Sequence, residues 1–396
     1  MTRRTLLVAS MLAALPMTGC PANDPAPSPA ADTGSTDTGT TPTPDPVPSD
    51  AADSTGPVAT DSSESGEPPP GLEPGPDVVI HAFEQAHVYF SGWDEGQNFR
   101  SIDTEVEFPS ADLGYENIGL YITLRCPEGG CDFWDRFATL GVVENAGTDD
   151  ERVIEVSRFI TPYRVEGSWG IDVSRLRPLL TGTQTLRVHI DTWVGPGHAQ
   201  GAGWLVDARF ELFGGVPSPR PVEVIPVWNR RDFEIGCPSC DVAEALPPQT
   251  IEIREDAARV DLVSVITGHG QGNLDNCAEF CSLEHTLNAG ASTLARTIWR
   301  DDCDQNPISG QQGTWTLSRA GWCPGDDVDP WVEDITPAKG TTSIDVSYAL
   351  DGYSNTCHPE SPVCEGCALG TGCDFDGGNH TAPQIKMSSL AVVYID

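Results

Sequence analysis

The chain has 396 residues and a formal net charge of −37, with 59 acidic residues against 22 basic ones. A charge this negative repels phosphate backbones and anionic membranes, which argues against nucleic acid as a partner. The chain is rich in glycine (40) and proline (34). With no long heptad-like runs, this composition favours an all-β fold with many turns. Thirteen cysteines indicate an oxidising compartment.

Residues 1–20 have the pattern of a bacterial lipoprotein signal. Arg3 and Arg4 supply the charged start, and residues 6–15 are apolar but too few to span a bilayer. Residues 17–20 read MTGC, which resembles a lipobox and predicts that Cys20 is lipidated. The alternative is an ordinary secretory signal cleaved nearby. We therefore expect an exported protein, held at the cell envelope or cell surface only through Cys20.

Residues 21–77 are predicted to form a disordered linker. They are rich in Pro, Ala, Ser, Thr and Asp and contain no basic residue. Such a stretch buries too little apolar surface to offset the entropy of ordering the chain. Its prolines and like charges keep it extended, so we expect a tether between the anchor and the folded part.

The residues after 77 change character and predict strands. Short stretches alternate apolar and polar residues, or are rich in β-branched and aromatic ones, between frequent turn residues: VVIHAFEQAHVYF, LYITLRC, ERVIEVSRFI, QTLRVHIDTW and ARFELF. This spacing is typical of a β-sandwich. A proline-rich break at 214–221 separates a second set of strands. We expect two β-domains, at 78–217 and 218–396.

The cysteines other than Cys20 indicate a disulfide framework. Three pairs are suggested by proximity along the chain: Cys126 with Cys131, Cys277 with Cys281, and Cys303 with Cys323. The remaining six have no assigned pairing: Cys237, Cys240, Cys357, Cys364, Cys367 and Cys373. Two CxxC spacings among these could indicate zinc, but the pairs lie far apart along the chain. We therefore expect disulfides and no metal, with 357–373 as a stapled surface insertion.

Several catalytic motifs are absent from the sequence. There is no GxSxG, P-loop, GxGxxG after a strand or HExxH, and the eight histidines are scattered. No cofactor is predicted. Carboxylates near aromatics and arginines remain as candidates: Asp132 and Asp135 in CPEGGCDFWDR, Asp191 in HIDTW, and Glu279 in CAEFC. The first stretch suggests a rigid site for a polar, ring-shaped ligand, with a stapled hairpin and an incidental ion pair as the alternative.

Longer strings resemble the bacterial peptide-N-glycosidase F family. The similarity covers nearly all of residues 80–396 and is carried, in order, by CDFWDRFATLGVV, SRFITPYRV, GIDV, TLRVHIDTW, ITGHG, CAEFC, EHT and NPISGQQGTWTLSRAGWCPG. The resemblance implies two antiparallel jelly-roll sandwiches side by side, with an active cleft at their interface. It also implies hydrolysis of the amide between an asparagine side chain and the first N-acetylglucosamine of an N-glycan, without a metal.

The resemblance also implies roles for individual residues. The family's essential aspartate falls on Asp135 and its partner glutamate on Glu279. Substrate contacts fall on Arg136, Trp193 and Arg319. The family's disulfides fall on the three pairs already suggested by proximity. We expect N-glycosylated proteins or glycopeptides as substrates and a monomeric enzyme.

Three positions depart from the family pattern. The third catalytic acid of the family is a glutamate, and this chain has Asp191, one methylene shorter. His269 replaces a sugar-facing tryptophan, and Phe280 replaces a tryptophan beside the glutamate. These changes bear on glycan preference. They keep open the alternative of a non-catalytic glycan-binding protein on the same scaffold. A copper monooxygenase of similar fold is disfavoured because the histidines do not cluster.

Overall fold

The computed structural model describes residues 72–270, 278–306, 308–350, 352 and 382–396. The predicted signal, Cys20, Cys277 and the 357–373 insertion lie outside the described residues. The last residues of the predicted linker, 72–77, are among the described residues and are part of the fold. Leu72 is only 8% exposed, and strand β1 (Glu73–Pro74) pairs in parallel with Leu113 and Gly114. Within the described residues, no helix has the length and apolar character needed to span a membrane.

The first half of the fold is a β-sandwich of two sheets. One sheet has the order β1-β5-β10-β2-β3 with β8 also on β5, and the other has the order β16-β7-β6-β9-β4. The strands are β1, β2 (Val78–Phe90), β3 (Asn98–Phe99), β4 (Ser101–Phe108), β5 (Leu113–Arg125), β6 (Phe137–Glu144), β7 (Arg152–Ile160), β8 (Gly167–Asp172), β9 (Gly182–Ile190), β10 (Trp204–Gly214) and β16 (Asp326–Asp327). The main sets, β2-β10-β5-β8 and β4-β9-β6-β7, have the jelly-roll order.

The second half repeats this architecture. Its sheets have the orders β11-β19-β13-β17 and β12-β18-β14-β15, again the jelly-roll arrangement. The strands are β11 (Arg220–Glu234), β12 (Gln249–Glu252), β13 (Arg259–His269), β14 (Leu283–Ala289), β15 (Ser292–Ile298), β17 (Trp331–Asp334), β18 (Ser343–Leu350) and β19 (Gln384–Ile395). Helix is limited, in the described residues, to α1 (Val242–Ala245) and 3-10 turns at Ser174–Leu179 and Cys303–Gln305. The expected all-β, double jelly-roll fold is confirmed.

Strand β19 shows how the two sandwiches meet. One face of β19, with Met387, Ala391 and Val393, packs into the core of the second sandwich. The other face, with Leu390 and Val392, packs against the core of the first. The strand is therefore buried on both faces, which explains its continuous apolar sequence LAVVYI in place of an alternating one.

A buried ion pair of the first sandwich makes hydrogen bonds across this junction. Arg158 on β7 is 1% exposed and pairs with Glu155 at 2.8 Å. The same guanidinium donates to Thr267 Oγ1 at 2.9 Å and to the Lys386 carbonyl at 2.7 Å, both in the second sandwich. A buried guanidinium with several acceptors resists displacement, because any shift leaves a charge or a carbonyl unpaired.

Candidate active site

The candidate site lies where loops from the two sandwiches meet. Asp135 is in the loop between β5 and β6, Glu279 is between β13 and β14, and Arg319 precedes β16. Arg319 Nε lies 3.1 Å from Glu279 Oε1, and Arg319 Nη2 lies 3.7 Å from Asp135 Oδ2. The side chain of Arg319 is 0% exposed, that of Asp135 13% and that of Glu279 18%. A buried arginine thus joins the two acids that the sequence singled out.

The loop that carries Asp135 is closed by a disulfide. Cys126 and Cys131 are bonded, as predicted. The turn between them places Gly129 and Gly130 at φ of 103° and 90°, in a region that L side chains rarely adopt. Phe133 N then donates to the Gln200 carbonyl at 3.1 Å, which ties the loop to the segment before β10. The disulfide and the Phe133 hydrogen bond therefore both fix the loop shortly before Asp135.

Asp132 is an internal anchor of the same loop. It is 0% exposed and accepts hydrogen bonds from Trp134 N (3.0 Å), Arg136 Nε (2.7 Å) and Thr192 Oγ1 (2.6 Å). Hydrogen bonds to protein groups satisfy this buried carboxylate, which indicates a structural role. Arg136, expected to contact substrate, therefore has two of its guanidinium nitrogens turned towards Asp132.

The segment that carries Glu279 is held through its backbone. Glu279 N donates to the Gly270 carbonyl at 3.0 Å, and the Glu279 carbonyl accepts from Ala320 N at 2.9 Å. The segment also packs closely on β13 at Gly268, where a Cβ would collide with the Ala278 carbonyl oxygen and lie 2.8 Å from Ala320 Cβ. Only glycine permits this approach. Cys281 follows Glu279, but its predicted partner Cys277 lies outside the described residues, so that pairing stays a prediction.

Arg319, predicted to contact substrate, is buried between the two acids. The guanidinium is fully buried and its donors face protein groups. It donates to the Thr314 carbonyl (2.9 Å), the Leu317 carbonyl (2.7 Å) and Thr314 Oγ1 (2.8 Å), with Tyr163 Oη at 3.5 Å. Its Cζ lies 5.0 Å from the centroid of the Phe280 ring. Arg319 therefore lies between the two acids and directs its positive charge towards both, and its contact with substrate stays a prediction.

The electrostatics of the acid pair favour retention of a proton. Burial, followed by the negative charge of Asp135, raises the pKa of Glu279 to about 7, against the opposing effect of Arg319. Burial also raises the pKa of Asp135, and Arg319, Tyr163 and Arg136 oppose that shift. Two buried carboxylates that share a site cannot easily both ionise. The pair therefore holds one acid and one base near neutral pH.

Tyr163 and one oxygen of Asp135 complete the centre. Burial and the nearby Asp135 carboxylate raise the pKa of Tyr163 well above its usual value, which keeps the phenol neutral. Asp135 Oδ2 is buried and accepts no hydrogen bond from the described residues. A buried carboxylate oxygen without a donor is costly, and such atoms often mark a place where a ligand or water binds. Sequence reasoning missed Tyr163, although it belongs to the FITPY string.

Asp191 lies outside the Arg319 cluster. It was expected to be a third catalytic acid. Its side chain is 40% exposed, and its Oδ1 accepts from Arg100 Nη1 at 3.1 Å. Trp193, expected to stack on a sugar, is 45% exposed beside this ion pair, with Arg100 Cζ 4.5 Å from its ring centroid. Asp191 and Trp193 thus form a neighbouring surface, together with Arg100, which sequence reasoning also missed.

His269 packs into the wall of the site. Its ring stacks on Trp322 with centroids 5.3 Å apart and meets the edge of Phe137 at 5.7 Å. Its Nε2 is 2.8 Å from Thr267 Oγ1. Burial, together with the charges of Lys386 and Arg158, lowers its pKa well below the ordinary value. The imidazole is therefore neutral at physiological pH and held mainly by protein groups.

Two further disulfides stiffen the second sandwich. Cys303 and Cys323 are bonded, as predicted. Cys237 and Cys240, whose pairing the sequence left open, are bonded to each other. Glu234 lies close enough to these two sulfurs to suggest a metal site, but sulfurs joined in a disulfide are not thiolate ligands. The described residues therefore give this cysteine pair a structural role.

The fold and the buried acid pair define a double jelly roll with an acid–base centre at the junction of its two sandwiches. Comparisons with known proteins identify similar sequences and folds. Residues 239–362 match the family model described as peptide-N-glycosidase F, C terminal. The chain is 28% identical, over 270 residues, to peptide-N(4)-(N-acetyl-beta-D-glucosaminyl)asparagine amidase F of Elizabethkingia miricola, covering 65% of this chain and 73% of the relative.

Solved structures support the fold. Recombinant peptide:N-glycanase F matches with a TM-score of 0.65 and 23% identity, covering 81% of this chain and 96% of that one. A structure of PNGase F described as a glycosylasparaginase from Flavobacterium meningosepticum matches with a TM-score of 0.63 and 22% identity, over the same shares. The resemblance found in the sequence is confirmed: the chain is similar to PNGase F in sequence and in fold.

Proposed function

We propose that this protein is a glycoasparagine amidase. It would hydrolyse the bond between the side-chain carbonyl of an N-glycosylated asparagine and the nitrogen carried by the first N-acetylglucosamine. The single observation that carries this proposal is the Asp135–Arg319–Glu279 arrangement, in which one buried guanidinium lies within 4 Å of two carboxylates. Similarity to an asparagine amidase supports the choice of substrate bond.

The acid pair supplies the proton transfers that amide hydrolysis needs. In the ionised form, Asp135 accepts a proton from the attacking water. Glu279, with a pKa of about 7, holds the second proton and sets the protonation state of Asp135. The water oxygen bonds to the carbonyl carbon, the C–N bond breaks, and the nitrogen leaves protonated as a glycosylamine. The asparagine becomes an aspartate.

Protein groups hold Arg319 between the two acids before substrate binds. Its hydrogen bonds to Thr314 and Leu317 fix the guanidinium without any help from a ligand. Charge that is already oriented stabilises a developing anion without a reorganisation cost during the reaction. Because Asp135 and Glu279 come from different sandwiches, this fixed cation also sets the distance between them. The disulfide at Cys126 and Cys131 contributes by limiting movement of the Asp135 loop.

The decisive experiment is release of glycans from a denatured N-glycoprotein in heavy-oxygen water. The expected products are free glycan and a peptide in which asparagine has become aspartate carrying one heavy oxygen. Asp135→Asn should abolish both products. Glu128→Gln, a change to an exposed acid in the same stapled loop, is the matched control and should keep wild-type activity. Release of glycans by Asp135→Asn at the wild-type rate would contradict the assignment.

A non-catalytic glycan-binding protein is the competing function. A binding protein has no use for two buried acids whose pKa values are raised by burial, because such groups cost folding free energy. If the folded wild-type protein retained glycopeptides but never converted asparagine to aspartate, the binding function would replace the enzymatic one. The proposed setting is outside the cytoplasm, where N-glycoproteins would be met. The N-terminal signal and the anchor at Cys20 remain predictions that mass spectrometry of the mature N-terminus would test.

A further inference from the structure

An exposed aromatic cluster lies beside the candidate site. We call Phe90, Trp93, Trp193 and Arg100 the aromatic platform. Trp93 is 72% exposed and Trp193 is 45% exposed. The two indoles lie edge to face with centroids 5.9 Å apart, and the Phe90 ring lies 5.1 Å from Trp93 and 5.2 Å from Trp193. Two large exposed indoles in contact are unusual unless they meet a ligand.

Backbone contacts fix the two segments that carry these indoles. Phe90 N donates to the Val194 carbonyl at 2.9 Å. Gly195 approaches so closely that a Cβ there would lie 2.8 Å from the Phe90 carbonyl oxygen. The loop after Phe90 is closed by a 2.7 Å bond from Ser91 N to the Gln97 carbonyl. The platform is therefore built into the sandwich and does not depend on a ligand for its shape.

The guanidinium of Arg100 contacts all three rings of the platform. Its Cζ lies 4.9 Å from the ring centroid of Phe90, 5.0 Å from that of Trp93 and 4.5 Å from that of Trp193. Its side chain is 14% exposed and paired with Asp191. Its charge is thus neutralised and covered by rings, which leaves the platform without a free cation for an acidic ligand. Asp191 Oδ2, which receives no hydrogen bond from the described residues, can accept one from a ligand hydroxyl.

The platform adjoins the acid pair. Asp191 N donates to the Phe137 carbonyl at 2.9 Å, two residues after Asp135. Thr192 Oγ1 donates to Asp132, the internal anchor of the Asp135 loop. These two contacts join the segment just before Trp193 to the loop that carries Asp135. A glycan whose linkage is cleaved at Asp135 can therefore reach this surface.

We propose that the aromatic platform binds the uncharged sugars of the glycan beyond the first N-acetylglucosamine, with Trp93 as the outer contact. This inference rests on the proposed function. A sugar ring has an apolar face of C–H groups and a rim of hydroxyls, which suits an exposed indole with a carboxylate at its edge. Trp193 would take the sugar nearer to the acids and Trp93 the next one out. Arg100 is a positioning residue, because its contacts are to the rings and to Asp191.

The test compares glycopeptides that differ only in glycan length. The substrates carry either a single N-acetylglucosamine or the branched mannose core. Trp93→Ala should raise KM for the core substrate about tenfold, the scale of one aromatic contact, and leave kcat nearly unchanged. KM for the single-sugar substrate should not move. Equal effects on both substrates, or no effect on either, would overturn the proposal.

A control and a binding measurement separate this inference from the proposed reaction. Phe213→Ala removes another exposed ring, 41% exposed at the end of β10, and should leave KM for both substrates as in the wild type. In an Asp135→Asn background, the free core oligosaccharide should still quench tryptophan fluorescence, and adding Trp93→Ala should weaken that binding about tenfold. Binding without hydrolysis by the wild type would overturn the reaction alone. Hydrolysis with unchanged binding in Trp93→Ala would overturn the platform alone.

Discussion

The substitution Glu279→Gln should increase stability at alkaline pH while it removes activity. Glutamine keeps the size of the side chain and an oxygen that can accept from Arg319 Nε. It cannot ionise, so it removes the second negative charge that burial and Asp135 disfavour. A group whose ionisation is costly in the folded protein destabilises that protein wherever the pH forces it to ionise.

The magnitude follows from the shift in pKa. The ordinary value for a glutamate is 4.5, and in the folded protein the pKa of Glu279 is about 7. The folded state therefore keeps a proton that the unfolded chain releases between these two values, and the free energy of unfolding falls as pH rises through that window. At about 1.4 kcal/mol for each pKa unit, the loss is about 3 kcal/mol by pH 8. The side chain is only 18% exposed, so solvent screening reduces this little.

The assay is equilibrium denaturation of wild type and Glu279→Gln at pH 4.5 and pH 8. Other groups titrate in this range, including His189 with a pKa lowered to about 4 and Asp327 with one raised to about 6. They are common to both proteins and cancel in the difference. The variant should gain about 3 kcal/mol relative to wild type between the two pH values, and its kcat should fall at least about a hundredfold. A constant stability difference across this pH range would refute the view that burial and Asp135 disfavour ionisation of Glu279.

Three other substitutions test the supports of the acid pair. Arg319→Lys replaces a planar group with several donors by a point charge, so glycan release should fall at least about a hundredfold and the denaturation midpoint should drop. Gly268→Ala forces a methyl group against Ala278, so it should displace Glu279 and lower kcat with a modest change in KM, measured by steady-state kinetics. Replacing Cys126 and Cys131 together by Ser opens a short loop. It should cost about 2 kcal/mol in the free energy of unfolding, measured by denaturation. The fractional loss of kcat should be larger than the fractional loss of stability.

The fold could be anticipated because its signals are local. Alternation of apolar and polar residues marks most strands of both sandwiches, and turn residues separate them. The pairing that brings β19 between two cores is not local. Its sequence predicts a strand, but burial on both faces follows only from the packing of one sandwich on the other. Strands β1, β3 and β16 have two residues each, too few for any periodicity to show.

The site could be anticipated only in part. Asp135 and Glu279 stand in strings long enough to be recognised, and the structure joins them through Arg319. Arg100 and Tyr163 carry no local pattern, because their contacts are with residues far away in sequence. The same holds for the burial of Arg319 between the two acids. A sequence names the charged groups of a site, whereas their pKa values depend on burial that only the fold defines.

In the proposed reaction, the division of the two acids between two sandwiches makes the junction part of the catalytic apparatus. Asp135 belongs to the first sandwich and Glu279 to the second, so any sliding of one on the other changes the distance between them. Misplacement by about 1 Å can cost a hundredfold in rate. The Arg158–Glu155 pair, with its bonds to Thr267 and Lys386, opposes such sliding without bonding to either acid. A buried ion pair is a weak source of net stability but a strong source of geometric specificity. In this molecule that specificity preserves the spacing of two acids that would repel one another if both were charged.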